Sequence, residues 1–129
     1  MRQIEFRGKC LETGEWVEGS FVRCDDVDTH DLILSCKGAF RYKIIPETVG
    51  QFTRLFYKNG VKIFEWDVVA EKDYDKGSVV FDGASFCINW IYRRYLTRYL
   101  NYHINKYQNN LEVIGNIHDQ PELLKEAAQ

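Results

Sequence analysis

The chain lacks long hydrophobic runs, a signal-peptide core and a clear excess of charge. Even its longest apolar stretches are short, Leu32-Ile33-Leu34 being one example, so none can span a bilayer. The N-terminus carries no apolar core of the signal-peptide type, which predicts a cytoplasmic protein with no membrane partner. Lys and Arg total 17 against 19 Asp and Glu, for a formal net charge of −2. This balance provides no global attraction to nucleic acid or to acidic membranes.

Signatures of catalysis and of cofactor binding are missing as well. The sequence contains no P-loop, no dinucleotide-binding fingerprint, no zinc-protease motif and no nucleophile elbow. Its cysteines are Cys10, Cys24, Cys36 and Cys87, and no two of them form a C-x-x-C pair. In a reducing compartment they are most simply small apolar residues. We therefore expect no enzymatic activity, no cofactor and no bound metal.

Two weaker catalytic readings remain open. The acidic segment 25–31 holds Asp25, Asp26, Asp28, His30 and Asp31, but it does not follow the calcium-loop pattern. It reads most simply as a solvated loop, and a metal-dependent hydrolase is the least favoured function. A nucleophilic pair of Cys87 with His103 would need an exposed thiolate in an electropositive setting.

What the chain does contain is a series of short stretches that alternate between apolar and polar residues and are separated by turn signals. At 129 residues, it fits one compact domain or two very small ones. The pattern predicts a mainly β protein with some helix and short antiparallel strands. Strands are predicted near 4–6, 16–22, 32–36, 40–45, 49–53, 61–69, 78–81, 84–90 and 111–117. The first two are predicted to pair as a hairpin, and the third and fourth to form a second strand pair. The Asp82-Gly83 pair is the strongest hairpin signal.

Two segments favour helices instead. Tyr92, Tyr95, Tyr99 and Tyr102 recur at helical spacing, which predicts a helical segment near 91–105. Pro121, followed by Glu122, predicts a short C-terminal helix. A boundary near Pro46 divides the chain into an N-terminal β-hairpin subdomain, 1–46, and a second subdomain, 47–129.

The segment between Asn89 and Tyr107 combines aromatic rings with four basic residues and no acid. Three interpretations compete: core packing, a subunit interface, or a nucleic-acid-binding surface. In the last, Arg93, Arg94 and Arg98 would contact phosphates while Tyr92, Tyr95 and Tyr99 stack on bases. The acidic total favours packing or an interface over nucleic acid.

Motifs along most of the chain resemble those of the YopX family of bacteriophage and prophage proteins. They are Ile4-Glu5-Phe6-Arg7-Gly8-Lys9, Gly14-Glu15-Trp16-Val17-Glu18-Gly19, Glu47-Thr48-Val49-Gly50-Gln51-Phe52-Thr53, Lys58-Asn59-Gly60-Val61-Lys62-Ile63-Phe64-Glu65, Asp67-Val68-Val69 and the segment from Leu111 to Leu124. The resemblance implies an SH3-like barrel in the C-terminal half, a cytoplasmic phage-related setting and a homo-oligomer. It implies no activity. The predicted barrel interior contains Val49, Phe52, Ile63, Phe64, Val68, Val113, Ile114 and Ile117.

Two departures from the family pattern are informative. Family members commonly have Glu-Gly-Asp where this chain has Glu65-Trp66-Asp67, so Trp66 must either avoid a positive φ or accept strain. The tyrosine-rich segment matches no family pattern. We therefore predict a non-enzymatic, homo-oligomeric binding or accessory module that contacts a sister subunit or an unknown phage or host protein. The predicted contact residues are Trp66, Tyr92, Arg93, Arg94, Tyr95, Arg98 and Tyr99.

Overall fold

The computed structural model describes residues 4–24, 30–35, 40–72, 75–93, 96–97, 100–107 and 111–125. The chain divides into two compact units, the first ending at Phe52 and the second beginning at Thr53. Strands dominate both units, which confirms the predicted mainly β class. The predicted division into 1–46 and 47–129 stays a prediction.

The first unit is built on an antiparallel sheet with the strand order β4-β3-β2-β1-β5. Its strands are β1 (Phe6–Lys9), β2 (Trp16–Val22), β3 (Leu32–Leu34), β4 (Arg41–Lys43) and the start of β5 (Gly50–Tyr57). Both strand pairs predicted from the sequence, β1 with β2 and β3 with β4, are confirmed. A 3₁₀ helix, Pro46–Thr48, leads into β5.

One side of this sheet forms the core of the first unit. Ile33, Ile44 and Cys10 are buried there. Gly8 lies against them, since a Cβ atom at this position would come within 2.6 Å of Ile44 Cγ2. The Thr48 hydroxyl accepts a hydrogen bond from the Lys9 N–H at 2.8 Å, which ties the 3₁₀ helix to β1.

The second unit contains the rest of β5, which hydrogen-bonds to β6, and a five-stranded antiparallel sheet with the order β10-β9-β8-β7-β11. Its elements are β6 (Val61–Phe64), β7 (Asp67–Glu71), β8 (Asp75–Asp82), β9 (Ser85–Trp90), β10 (Leu96–Thr97), α1 (Leu100–Tyr107) and β11 (Leu111–Asn116). Among the described residues neither sheet closes on itself, so the SH3-like barrel is not confirmed.

The core of the second unit lies between its sheet, β6 and α1. It consists of Ile63, Val69, Val79, Ile88, Trp90, Leu100, Ile104 and Leu111. Of the residues predicted to be interior, Phe52, Ile63, Phe64 and Val68 are buried, whereas Val49, Val113, Ile114 and Ile117 are half-buried. The predicted interior residues of β6 and β7 are therefore buried, whereas those of β11 are only half-buried.

The predicted helix near 91–105 is wrong in its first half. Residues 91–93 form a bend, and Leu96-Thr97 pairs with Asn89 and Ile88 as β10. The helix α1 begins only at Leu100. The predicted short C-terminal helix is confirmed as a 3₁₀ helix, Pro121–Leu124. In the part of the chain that the structure describes, no helix has the length and apolar character needed to cross a membrane.

Candidate functional site

Trp66 occupies the tight turn between β6 and β7. Its N–H donates to the Val79 carbonyl at 2.8 Å, and its own carbonyl accepts from the Ile117 N–H at 3.0 Å. On the other side of the turn, Asp67 Oδ2 accepts from the Phe64 N–H at 2.8 Å. Hydrogen bonds on both sides therefore fix the backbone of this turn.

The backbone of Trp66 lies in the left-handed region, with φ at +76°. For a residue with a bulky side chain this conformation costs about 1–2 kcal/mol, a cost that glycine would not have. Of the two alternatives that the sequence leaves open, the structure thus shows strain at Trp66 rather than a changed turn. The half-buried indole meets the His118 ring edge-on, with 6.5 Å between ring centroids.

A compact turn after β11 holds His118 in place. Asn116 Oδ1 accepts from the N–H groups of His118 and Asp119 at 3.0 and 2.9 Å. The Gln120 side chain folds back, so that its Oε1 accepts from the Asn116 N–H at 3.2 Å. It passes over Gly115, where a Cβ atom would come within 2.5 Å of that oxygen. The backbone of His118, whose imidazole lies beside Trp66, is therefore held by a network of short-range contacts.

Tyr92 and Arg93 lie in the bend that follows β9, and one buried carboxylate fixes this bend. Asp75 Oδ1 accepts from the N–H groups of Lys76 at 2.8 Å and Tyr92 at 3.0 Å. Asp75 Oδ2 accepts from the Arg93 N–H at 2.9 Å. The Asp75 side chain is 1% exposed. Tyr92, which this anchor places at the surface, is 47% exposed.

The guanidinium group of Arg93 is already engaged inside the second unit. It forms an ion pair with Glu71, and its Nε lies 3.9 Å from Asp75 Oδ2. It also stacks on the indole of Trp90, with Cζ 4.4 Å from the ring centroid. The guanidinium group of Arg93 thus contacts two carboxylates and an aromatic ring of its own chain.

Trp90 connects this cluster to the elements that follow. Its Nε1–H donates to the hydroxyl of Thr97 in β10. The ring of His103, from α1, lies 5.6 Å from the indole and is buried. Arg93 and His103 therefore both pack on Trp90, which makes this tryptophan the centre of an aromatic and charged cluster.

The remaining predicted contact residues, Arg94, Tyr95, Arg98 and Tyr99, lie outside the described residues. So do Asp25, Asp26 and Asp28 of the acidic segment. Within the described ranges, no three His, Cys, Asp or Glu side chains group as metal ligands. The thiol of Cys87 is fully buried, so it is not the exposed nucleophile that a pair with His103 requires.

Cys10 has an unusual setting at the end of β1. A hydrogen bond from the Thr13 hydroxyl, joined by backbone N–H groups of Thr13 and Glu12, lowers the pKa of its thiol below 9.0, against the opposing effect of burial. The side chain is 4% exposed, and the residue sits directly before the turn of the first hairpin. The sequence signal for this setting is the Thr13-Gly14 turn that follows the cysteine.

A small apolar cavity of about 90 Å³ lies at one end of the core of the second unit. Its lining residues are Phe56, Tyr57, Lys58, Ile63, Ile104, Leu111 and Val113. Lys58 contributes an ammonium group, while the other side chains supply aliphatic and aromatic surface and a phenol. This lining provides no carboxylate, imidazole or thiol for acid-base or nucleophilic chemistry.

Comparison with known proteins agrees with the fold. The crystal structure of protein EF1440 from Enterococcus faecalis is similar, with a TM-score of 0.60 and 23% identity, over 97% of this chain and 100% of that chain. At this identity the likeness concerns the fold. No sequence among the curated proteins matches. The sequence profile described as "YopX protein" matches residues 5–125, and the chain therefore belongs to the YopX family.

Proposed function

We propose that this protein is a non-enzymatic, homo-oligomeric accessory module of phage or prophage origin that acts in the cytoplasm. Its contacts with a sister subunit or another protein would be made by Trp66 and Tyr92, here called the aromatic contact residues. The observation that carries this proposal is the strained backbone of Trp66.

A glycine at position 66 would occupy the same turn without strain. Strained residues persist where the surroundings fix them, and they cluster at functional positions. The indole is half-buried against His118 rather than enclosed in the core of the second unit. Tryptophan is enriched in the centres of protein interfaces because it buries a large apolar area with few rotatable bonds. A contact role accounts for both the residue type and its backbone conformation.

Tyr92 suits the same contact role for a different reason. Its ring is exposed, but its backbone is anchored by the buried Asp75 carboxylate. A fixed aromatic side chain loses little conformational entropy on binding, which favours its use as a contact. The anchor also explains why the segment bends where a continuous helix was predicted.

The alternative function, nucleic-acid binding by residues 90–107, receives less support. Arg93 is paired with Glu71 and stacked on Trp90, so a phosphate would have to compete with both contacts. For the metal-dependent hydrolase, no observation among the described residues provides a basis. The proposed role includes no enzymatic activity.

Native mass spectrometry and light scattering at micromolar concentration test the proposal directly. We expect the wild-type protein to be an oligomer and the Trp66→Gly variant to dissociate toward the monomer with unchanged circular dichroism. Phe81→Ala is the matched control, because Phe81 is an aromatic residue of the same unit that is 53% exposed. This control should remain oligomeric.

Two results would contradict the proposal. A wild-type monomer at micromolar concentration would rule out self-association, and an oligomer that dissociates with Phe81→Ala but not with Trp66→Gly would rule out the assigned contact. Affinity capture from a lysogenic host, with wild type and Trp66→Gly compared, then tests for a partner other than a sister subunit.

A further inference from the structure

The small apolar cavity of the second unit, here called the core cavity, is bounded by elements that are distant along the chain. Tyr57 ends β5, and Lys58 begins the 3₁₀ helix Lys58–Gly60 that follows it. The other walls come from Ile63 of β6, Ile104 of α1 and two residues of β11. Only the folded second unit therefore forms the core cavity.

The inner wall of the core cavity belongs to the core of the second unit. Ile63, Ile104 and Leu111 are buried members of that core. Val113 and Tyr57 are partly buried and pack against it. The inner wall is thus largely aliphatic, and the packing of the core fixes its shape.

The core cavity reaches solvent on the side of Phe56 and Lys58. Phe56 is 52% exposed and Lys58 is exposed as well, whereas the other lining residues are buried or half-buried. An exposed lysine keeps its ammonium group in water while its methylene groups cover apolar surface. Apolar walls therefore lie inside, and a positive charge lies on the solvent side.

The charge of the lining has one sign. Lys58 supplies an ammonium group, and the lining contains no carboxylate. Tyr57 adds a phenol, whose hydroxyl group can donate a hydrogen bond. Within the described ranges, no ion pair or hydrogen bond engages the Lys58 side chain. The lining thus suits an anion, because a charge-assisted hydrogen bond from an ammonium to a carboxylate is a strong one.

The volume of the core cavity limits the apolar part of a ligand. An apolar cavity of about 150 Å³ accommodates benzene, with its six carbon atoms. In proportion, the core cavity of about 90 Å³ accommodates about three or four carbon atoms. Water suits the inner part poorly, since it needs hydrogen-bond partners that aliphatic side chains do not supply.

We infer that the core cavity binds short aliphatic monocarboxylates with about three or four carbon atoms beyond the carboxylate, such as isovalerate. The alkyl chain contacts Ile63, Ile104 and Leu111, and the carboxylate pairs with Lys58 at the opening. An amphiphile of this kind matches both the apolar wall and the charge. Neither Trp66 nor Tyr92 lines the core cavity, so the inference does not depend on the proposed oligomer.

Methyl NMR spectroscopy of the whole chain during titration with isovalerate tests the inference. We expect saturable shifts of the methyl signals of Ile63, Ile104, Leu111 and Val113, with a Kd of about 1 mM for so small a ligand. Isoamyl alcohol has the same branched chain without the charge, so it should bind about tenfold more weakly. Acetate has the charge without the chain, and it should leave these signals unchanged.

Lys58→Met removes the ammonium group and keeps an unbranched side chain. It should weaken the binding of isovalerate about tenfold and leave the affinity for isoamyl alcohol unchanged. Lys125→Met is the matched control, because Lys125 is an exposed lysine of the same unit outside the lining. Its affinities for both compounds should equal those of the wild type.

Val113→Phe tests the apolar part of the site. The larger side chain occupies the space that the alkyl chain requires. We expect neither isovalerate nor isoamyl alcohol to shift the methyl signals of this variant, while its circular dichroism stays unchanged.

Several outcomes would overturn the inference. These are the absence of saturable shifts with isovalerate, equal affinity for isovalerate and isoamyl alcohol, and equal weakening by Lys58→Met and Lys125→Met. Much tighter binding of a peptide that ends in leucine would identify the C-terminus of a protein as the ligand in place of a free acid.

Discussion

At the scale of single residues, Trp66 combines two effects that substitutions can separate: a strained backbone and a side chain in contact with His118. The strain depends on the presence of a Cβ atom, whereas the contact depends on the indole. Alanine keeps the first and removes the second, and glycine removes both. Comparison of the two variants therefore isolates the backbone effect from the loss of packing.

We expect the free energy of unfolding of Trp66→Gly to exceed that of Trp66→Ala by about 1 kcal/mol, because only glycine adopts a φ near +76° without strain. Urea unfolding of both variants followed by circular dichroism measures the difference. A more stable alanine variant would show that the turn does not hold position 66 in the left-handed region.

Asp75 is a residue whose role the sequence does not reveal. Its carboxylate accepts from three backbone N–H groups, two of which belong to residues 17 and 18 positions further along the chain. Removing the acceptor deprives these partly buried donors of their shared partner. We expect Asp75→Ala to lower the free energy of unfolding by about 3 kcal/mol.

The exposed Asp82, in the same strand, is the control for Asp75. Asp82→Ala should change the free energy of unfolding by less than about 0.5 kcal/mol. Equal effects of the two substitutions in urea unfolding would mean that the buried carboxylate does not anchor the bend.

The Cys10 thiol gives a prediction about pH. Because its folded-state pKa is lowered from 9.0, the thiolate stabilises the folded state. This contribution is fully present above the unfolded-state pKa and is lost as pH falls through the folded-state value. The stability of the wild type relative to Cys10→Ser should therefore rise between neutral pH and pH of about 9. A constant difference across this range would contradict the lowered pKa.

At the scale of secondary-structure elements, local signals predict the hairpins well. The pairs β1–β2, β3–β4 and β8–β9 follow from alternation and nearby turn residues, and all three are confirmed. The segment after Trp90 differs because its conformation is set by distant groups. Asp75 accepts hydrogen bonds from two of its N–H groups, and residues 96–97 pair with β9. Because of these contacts, the segment does not form the helix that the tyrosine spacing predicted.

The turn of the β8–β9 hairpin lies one residue later than the Asp82-Gly83 signal suggests. Gly83 and Ala84 are its central residues, with φ at +57° and +66°. A turn with two positive φ values suits the twist of a hairpin, but alanine is strained there. We expect Ala84→Gly to raise the free energy of unfolding by about 1 kcal/mol and the melting temperature by about 4 °C.

Ala70→Gly is the control for Ala84→Gly, and it should change the free energy of unfolding in the opposite direction. Ala70 lies within β7 and pairs with Lys76 and Glu112. Glycine in a strand interior lowers stability by about 0.5–1 kcal/mol. Calorimetry should thus show shifts of opposite sign for the same chemical change at the two positions.

At the scale of the whole molecule, the sequence indicated the family and the mainly β class, because both depend on patterns spread along the chain. It could not indicate which side chains, distant along the chain, contact each other in the folded protein. Trp66 was identified from its departure from the family turn, but the pairing of Arg93 with Glu71 joins residues of different elements. The contacts of Arg7 and Lys9 with the Trp16 indole likewise follow only from the strand register.

The proposed oligomer makes one further prediction for the molecule as a whole. When only the folded state associates, mass action links stability to protein concentration. The melting temperature of the wild type should therefore rise with each increase in concentration across the micromolar range, and that of Trp66→Gly should stay constant. Scanning calorimetry over this range measures both. A wild-type melting temperature independent of concentration would show that the folded chain does not self-associate through its aromatic contact residues.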